Sequence, residues 1–337
     1  MNDTLDASAH QLSEARQRGN ADDVAEALAR HANHLLQNGR TGDARLELDE
    51  AAAIHRERGR VYDEARCTQM AATLCRFEGK LEEAKDRSGL ALRLTDSKGT
   101  IAVSAFAELG EIALAQGKGG EASQAFQSAL DAGIATGMVD SARAALLRKR
   151  ATALATAGRF DEAIRDLATA HDLLTRLGDR AGATRALIEQ ATAYRHAGRP
   201  EDADAIVLQA MEPAVQAQDH AALADLHLLR SARALDRHDA AAALASAETA
   251  RTHALAGNAP TPYVAAAHAI AQLAEAAGDR LRAYEALAVG WATLSDLLGR
   301  DLARTAFEPA LAQMRERWGA AAFAEAKNSY ESRRRGA

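Results

Sequence analysis

Apolar side chains recur every three or four positions along this chain. Leu5, Ala9, Leu12 and Ala15 trace one face of an amphipathic helix over 4–18, and Ala163, Leu167 and Ala170 keep the same step further on. Ala-rich stretches such as Ala240 to Ala245 are interrupted by polar residues within a few positions. No run approaches the ~18 apolar residues that a membrane-crossing helix needs. The pattern predicts many short helices and no spanning segment.

A polar turn phrase punctuates these helices. It reads Gly79-Lys80-Leu81-Glu82-Glu83-Ala84, Gly117-Lys118-Gly119-Gly120-Glu121-Ala122, Gly158-Arg159-Phe160-Asp161-Glu162-Ala163 and Gly198-Arg199-Pro200-Glu201-Asp202-Ala203. Weaker copies begin at Gly39 and Gly278, and one begins at His238, where the glycine is replaced. The anchors 39, 79, 117, 158, 198, 238 and 278 are spaced by 40, 38, 41, 40, 40 and 40 residues. Such near-constant spacing is the mark of a repeat architecture.

Three further positions keep step with the anchors. Five residues after each stands Ala44, Ala84, Ala122, Ala163, Ala203, Ala243 or Ala283. Twelve after stands Ala51, Ala91, Ala129, Ala170, Ala210, Ala250 or Gly290, and seven before stands Ala32, Ala72, Gly110, Ala151, Ala191, Ser231 or Ala271. Helices whose axes lie 8–10 Å apart need small side chains where they touch most closely. The columns therefore predict antiparallel helix pairs, each closed by a short turn whose glycine takes the left-handed conformation that ends helices. Asp161 and Glu201, early in second helices, would face the positive end of the helix dipole.

A small residue, a seven-residue step, glycine, a five-residue step, alanine, a seven-residue step and alanine together resemble the tetratricopeptide repeat. Leu109 and Gly110 with Phe106 ahead are similar to that family's first-helix signature, and Gly158-x-Phe160-x-x-Ala163 to its turn and second helix. The resemblance covers about 21–300 and implies an all-α, right-handed superhelical solenoid. The period of about 40 exceeds the family's usual 34. The extra residues are expected in the end of the second helix and the following loop, as at Leu177-Gly178-Asp179-Arg180. The proline that usually closes the second helix is absent, and most first helices lack a large aromatic.

The expected layout is a capping helix over 1–20, seven helix pairs over 21–300, and a degenerate eighth pair with a basic tail over 301–337. Gly319 lies 41 residues beyond Gly278, and Ala312 and Ala324 fall at the small positions of that last pair. Trp291, Phe307, Trp318 and Phe323 concentrate there, which suits a terminal core that nothing stacks upon. A partner-binding aromatic patch is the alternative. The tail from Glu331 to Ala337 reads as a solvated segment.

Composition narrows function. A net charge of −6 and only 4% aromatics argue against a nucleic-acid binder, which needs cations for phosphates and rings for bases. The acidic start, Met1-Asn2-Asp3-Thr4-Leu5-Asp6, does not read as a secretory signal, so the expected compartment is the cytoplasm. Cys67 and Cys75, eight residues apart on one predicted helix, cannot pair and read as reduced buried residues. No metalloprotease, P-loop or serine-hydrolase motif occurs. His31 and His34 share a helix face with no third ligand nearby, so they read as packed or solvated rather than metal-binding, as do His220 and His227. No catalysis, cofactor or metal is expected; compositional bias toward Ala, Arg and Gly points to a GC-rich bacterial source.

In the family resembled, the first helix of each pair lines the concave face where ligands lie. The matching stripe runs 13, 10, 6 and 3 residues before each anchor, on one helical face. In the first two pairs it offers Asn33, then Arg66, Gln69 and Arg76. Arg148 and Thr152 follow, then Arg185, Ile188, Thr192 and Arg195. Leu228 marks a more apolar sixth pair, with His268 and Gln272 in the seventh. The arginines suit carboxylates, which their planar fork grips at two points. The expectation is a non-catalytic adaptor or scaffold holding a protein or peptide with an acidic segment. A peptide-sensing regulator, or an accessory subunit positioning a substrate protein for a separate enzyme, is the alternative.

Overall fold

The structure is a computed structural model that describes residues 2–336, with side chains described over 4–335. Among the described residues there are only α-helices and the turns that join them. The chain forms two compact units, one ending at Leu177 and the other beginning at Gly178.

The first unit comprises α1 (Asn2–Arg18), α2 (Ala21–Gln37), α3 (Thr41–Glu57), α4 (Val61–Phe77), α5 (Leu81–Leu94), α6 (Gly99–Ala115), α7 (Gly119–Ala135), α8 (Asp140–Thr156) and α9 (Phe160–Arg176). The second comprises α10 (Arg180–His196), α11 (Pro200–Gln216), α12 (His220–Asp236), α13 (Ala240–Ala256), α14 (Pro260–Ala276), α15 (Arg280–Leu298), α16 (Arg300–Trp318) and α17 (Ala320–Gly336). Within each unit, helices consecutive in sequence pack side by side, so each successive pair stacks on the one before.

The turns explain why the chain reverses where it does. At the end of α2 the Arg40 N–H donates to the Leu35 carbonyl at 2.9 Å, and Gly39, at φ 73°, donates to Leu36. This crossed pair of bonds satisfies the last carbonyls of the helix and requires a left-handed residue between them. The same closure recurs at Lys80 to Cys75, Arg159 to Leu154 and Asp279 to Ala274. Four turns adopt it without glycine, at Asp96, Gln218, His238 and Asn258. On the far side of several turns, Asp179, Asp219, Asp239 and Asp279 accept the backbone N–H three residues on and cap the next helix.

All three small columns are buried through the seven pairs. The one polar member proves the register: the Ser231 hydroxyl donates to the Ala243 carbonyl at 2.8 Å, joining a residue seven before the anchor to one five after it. The added residues lie after the third column, as expected, but in helix rather than in the connecting loop. Connectors between pairs are as short as the turns within them, and nearly every helix has 17 residues, so the extra length extends both helices of a pair. The two irregular spacings are local. α5 has 14 residues and a four-residue connector, which accounts for 38, and the connector 136–139 adds the one residue that makes 41.

The last pair departs from the column rule. Ala312 and Ala324 are exposed, and α16 and α17 pack instead through Ala303, Phe307, Met314 and Ala326. The Phe307 ring fills the space over Gly290, and Tyr284 meets both Phe323 and Tyr330 edge-on. Phe307 is fully enclosed, while Trp291, Trp318 and Phe323 lean against this core. No described helix is long and apolar enough to cross a membrane.

Candidate functional site

In the first unit the stripe opens a cleft of about 290 Å³ between α2 and α4, lined by Glu26, Ala29, Arg30, Asn33 and Arg66. Asn33 and Arg66 are exposed there, and Arg66 leans on Asp63 at 3.0 Å. Gln69, one turn further along α4, is buried and does not reach the surface. Arg76 lies over the Phe77 ring and pairs with Glu108 of α6, a buried carboxylate that also accepts from Thr73 at 2.9 Å. Thr152 is exposed on α8, where its hydroxyl donates to the Arg148 carbonyl.

The second unit repeats the theme. Arg185 of α10 pairs with Asp225 of α12. Ile188 is buried, and the Thr192 hydroxyl donates to its carbonyl. Arg195 is half-buried, with its Nε enclosed and without a hydrogen-bond partner. Leu228 is half-buried on α12. His268 and Gln272 of α14 line a second cleft of about 280 Å³ against α16. In it the His268 Nε2 lies 3.1 Å from the Ala306 carbonyl. Glu275 closes this cleft, held below the usual carboxylate range by two hydrogen bonds from Arg317, with Trp318 donating a third.

In each unit some stripe residues face an open cleft, Asn33 and Arg66 in the first and His268 and Gln272 in the second. Other stripe charge is committed to ion pairs with the neighbouring helix, as Arg76–Glu108 and Arg185–Asp225 show. Such pairs lock successive repeats together, and they are why a count of arginines in the sequence overstates the free positive charge.

A second pattern lies on the opposite side of the first helices and escaped the sequence reading. In two pairs the residue eight before the anchor meets the residue eight after it. His31 Nδ1 lies 2.7 Å from Glu47, whose carboxyl burial pushes up, and Arg150 grips Asp166 through two bonds of 2.6 and 2.5 Å. The signal was available as a 16-residue spacing between opposite charges. His220, His227 and His253 also converge, with His253 stacked between the other two at 5.2 and 5.5 Å. Cys67 and Cys75 are free and buried, and burial pushes the Cys67 thiol up to about 11. Among the described residues, no three His, Cys, Asp or Glu side chains form a metal-sized cluster.

Helix pairs with in-phase small columns and left-handed turns define a helical repeat protein of the tetratricopeptide type. Residues 141–212 match the tetratricopeptide repeat family model. Solved structures agree on the fold. The STAND protein with a tetratricopeptide repeat sensor from Pyrococcus horikoshii aligns at TM-score 0.65 and 15% identity, over 84% of this chain and 44% of that one. The apo form of RapI aligns at 0.63 and 10% identity, over 85% of this chain and 99% of its own. A Rap protein complexed with competence and sporulation factor aligns at 0.57 and 14% identity, over 93% and 88%. A search of curated protein sequences gives no significant match. The shared feature is the fold, helix pair stacked on helix pair as in tetratricopeptide repeats.

Proposed function

We propose that this chain is a non-catalytic adaptor or scaffold that holds a protein or peptide on the stripe face of its first helices. The observation that supports this most is the coincidence of stripe and cleft. Asn33 and Arg66 line one opening, and His268 and Gln272 line another, all four at stripe positions. Arg195, with an enclosed Nε lacking a partner, offers an unmet donor on the same face. A buried donor without an acceptor costs about 1–3 kcal/mol, so an incoming carboxylate or carbonyl would be favoured there.

A second reading is a regulator that changes shape around a small signalling peptide. It draws on the Rap protein solved with its competence and sporulation factor. The two readings separate in one experiment. Tagged protein is used to capture partners, identified by mass spectrometry, beside a variant carrying Arg66→Ala, Arg148→Ala and Arg195→Ala whose helicity is checked by circular dichroism. Loss of a stable partner in the variant supports the adaptor; partners that persist unchanged remove the stripe as the binding face. Compaction in small-angle scattering on adding the captured ligand favours the regulator.

A further inference from the structure

The cleft between α11, α12 and α13 stands apart from the stripe. It lies on the opposite side of α12, because eight-before and six-before positions differ by two residues, or about 200° around a helix. Its volume is about 620 Å³, and its apolar wall is Val207, Leu208, Met211 and Ala234. Leu208 is 74% exposed, the most open of the large apolar side chains among the described residues.

The repeats themselves say what the cleft lacks. The equivalent cleft between α7, α8 and α9 holds Arg150 eight before its anchor and Asp166 eight after, joined by a bidentate ion pair. In the α11–α13 cleft the same two positions are Arg230 and Ser246. The cation has been kept and its carboxylate has been replaced by a hydroxyl. Nearby acids cannot substitute. Asp204 is engaged by Arg233 at 2.9 Å and Arg237 at 2.8 Å, and Asp239 caps α13. Arg230 is exposed and makes no ion pair among the described residues, so positive charge stands unmatched beside an open apolar wall.

From this internal comparison we infer that the α11–α13 cleft is a second docking site. It takes a protein segment that presents a carboxylate beside a leucine-sized apolar side chain. The carboxylate occupies the place that Asp166 fills in the equivalent cleft and pairs with Arg230 through two hydrogen bonds, the geometry guanidinium and carboxylate favour. The apolar side chain covers Leu208 and Met211. The two demands come from different walls of one cleft, which gives selectivity for their spacing.

The test uses the full chain and a set of fluorescent helical peptides on an Ala, Gln and Lys background. Each carries one Leu and one Glu at separations of one, three or four residues, with Glu→Gln and Leu→Ala controls, and binding is read by anisotropy up to millimolar concentration. One spacing is expected to bind, with each peptide control weaker by about tenfold or more. Arg230→Ala should weaken it similarly. Ser246→Asp should do the same while adding stability, because it supplies from within the carboxylate that the partner would bring. The Arg66, Arg148, Arg195 alanine variant should bind as the parent does, which separates this site from the stripe. The inference is overturned if no peptide binds, if Ser246→Asp binds as well as the parent, or if the Leu→Ala control binds equally and only an anion site remains.

Discussion

The Phe126 ring occupies the space where a side chain at residue 110 would begin. A Cβ added to Gly110 would stand 2.7 Å from two ring carbons, and Phe126 is fully buried. Gly110 is the glycine of the column seven before the anchor, and it is followed across the pair by the one phenylalanine at nine after. Loss of a methyl on one helix is matched by gain of a ring on the other. Gly290 and Phe307 repeat the arrangement at the end of the second unit.

Gly110→Ala is therefore expected to destabilise, although alanine is the better helix former. Overpacking costs about 1–3 kcal/mol, against a propensity gain of at most about 1 kcal/mol. Phe126→Leu alone should also destabilise by leaving a void. The double variant should recover part of both losses, a coupling of about 0.5–3 kcal/mol in urea denaturation. Gly120→Ala, with nothing near its would-be Cβ, is the control and should be neutral or slightly stabilising. Strict additivity of the pair would show that ring and glycine do not compete for one space.

What the sequence disclosed followed from how many times each constraint was repeated. The small columns are legible because helix contact imposes them in every pair, and Ser231 with Ala243 shows the contact directly. The connector between pairs is shorter than expected because it obeys the same rules as the turn within them. Gly59 and Gly178 carry the same left-handed conformation as Gly39. The stripe was harder. Spacing gives the face of a helix but not its depth, so Gln69 and Ile188 fell on the right face and are buried. Nor does spacing along one helix show that Arg185 meets Asp225 40 residues away. Ala312 and Ala324 failed because the buried contacts of that pair run through Phe307 and Met314, which set its geometry instead.

The turns at Gln218, His238 and Asn258 hold non-glycine residues at φ 52°, 59° and 47°. Left-handed backbone costs an ordinary residue about 1–2 kcal/mol, and asparagine less. Replacing it with glycine relieves that strain but enlarges the unfolded ensemble, an opposing effect of about 0.4–1 kcal/mol. Gln218→Gly should raise stability by about 0.5–1 kcal/mol, His238→Gly by a similar amount, and Asn258→Gly by little or nothing. Thermal or urea midpoints of the three single variants check the order. A larger gain for Asn258→Gly than for Gln218→Gly would contradict the strain argument.

The histidine stack should make stability fall in mild acid. Burial first, then Arg230 and His253, pulls the His227 value from 6.5 down to about 4, and His253 is also lowered, by burial and by His220. Between pH 4 and 6.5 the unfolded chain binds a proton at residue 227 that the folded chain refuses. Stability then rises with pH across that window: the contribution is complete above 6.5 and is lost as pH falls toward 4. His227→Leu keeps an apolar body in the stack and removes the titration. Urea midpoints at pH 7 and pH 5 should differ more for the parent than for His227→Leu, while carboxylates elsewhere shift both proteins alike. Equal drops in the two proteins would mean that His227 takes up its proton in the folded state without resistance, and that the stack opens freely to water.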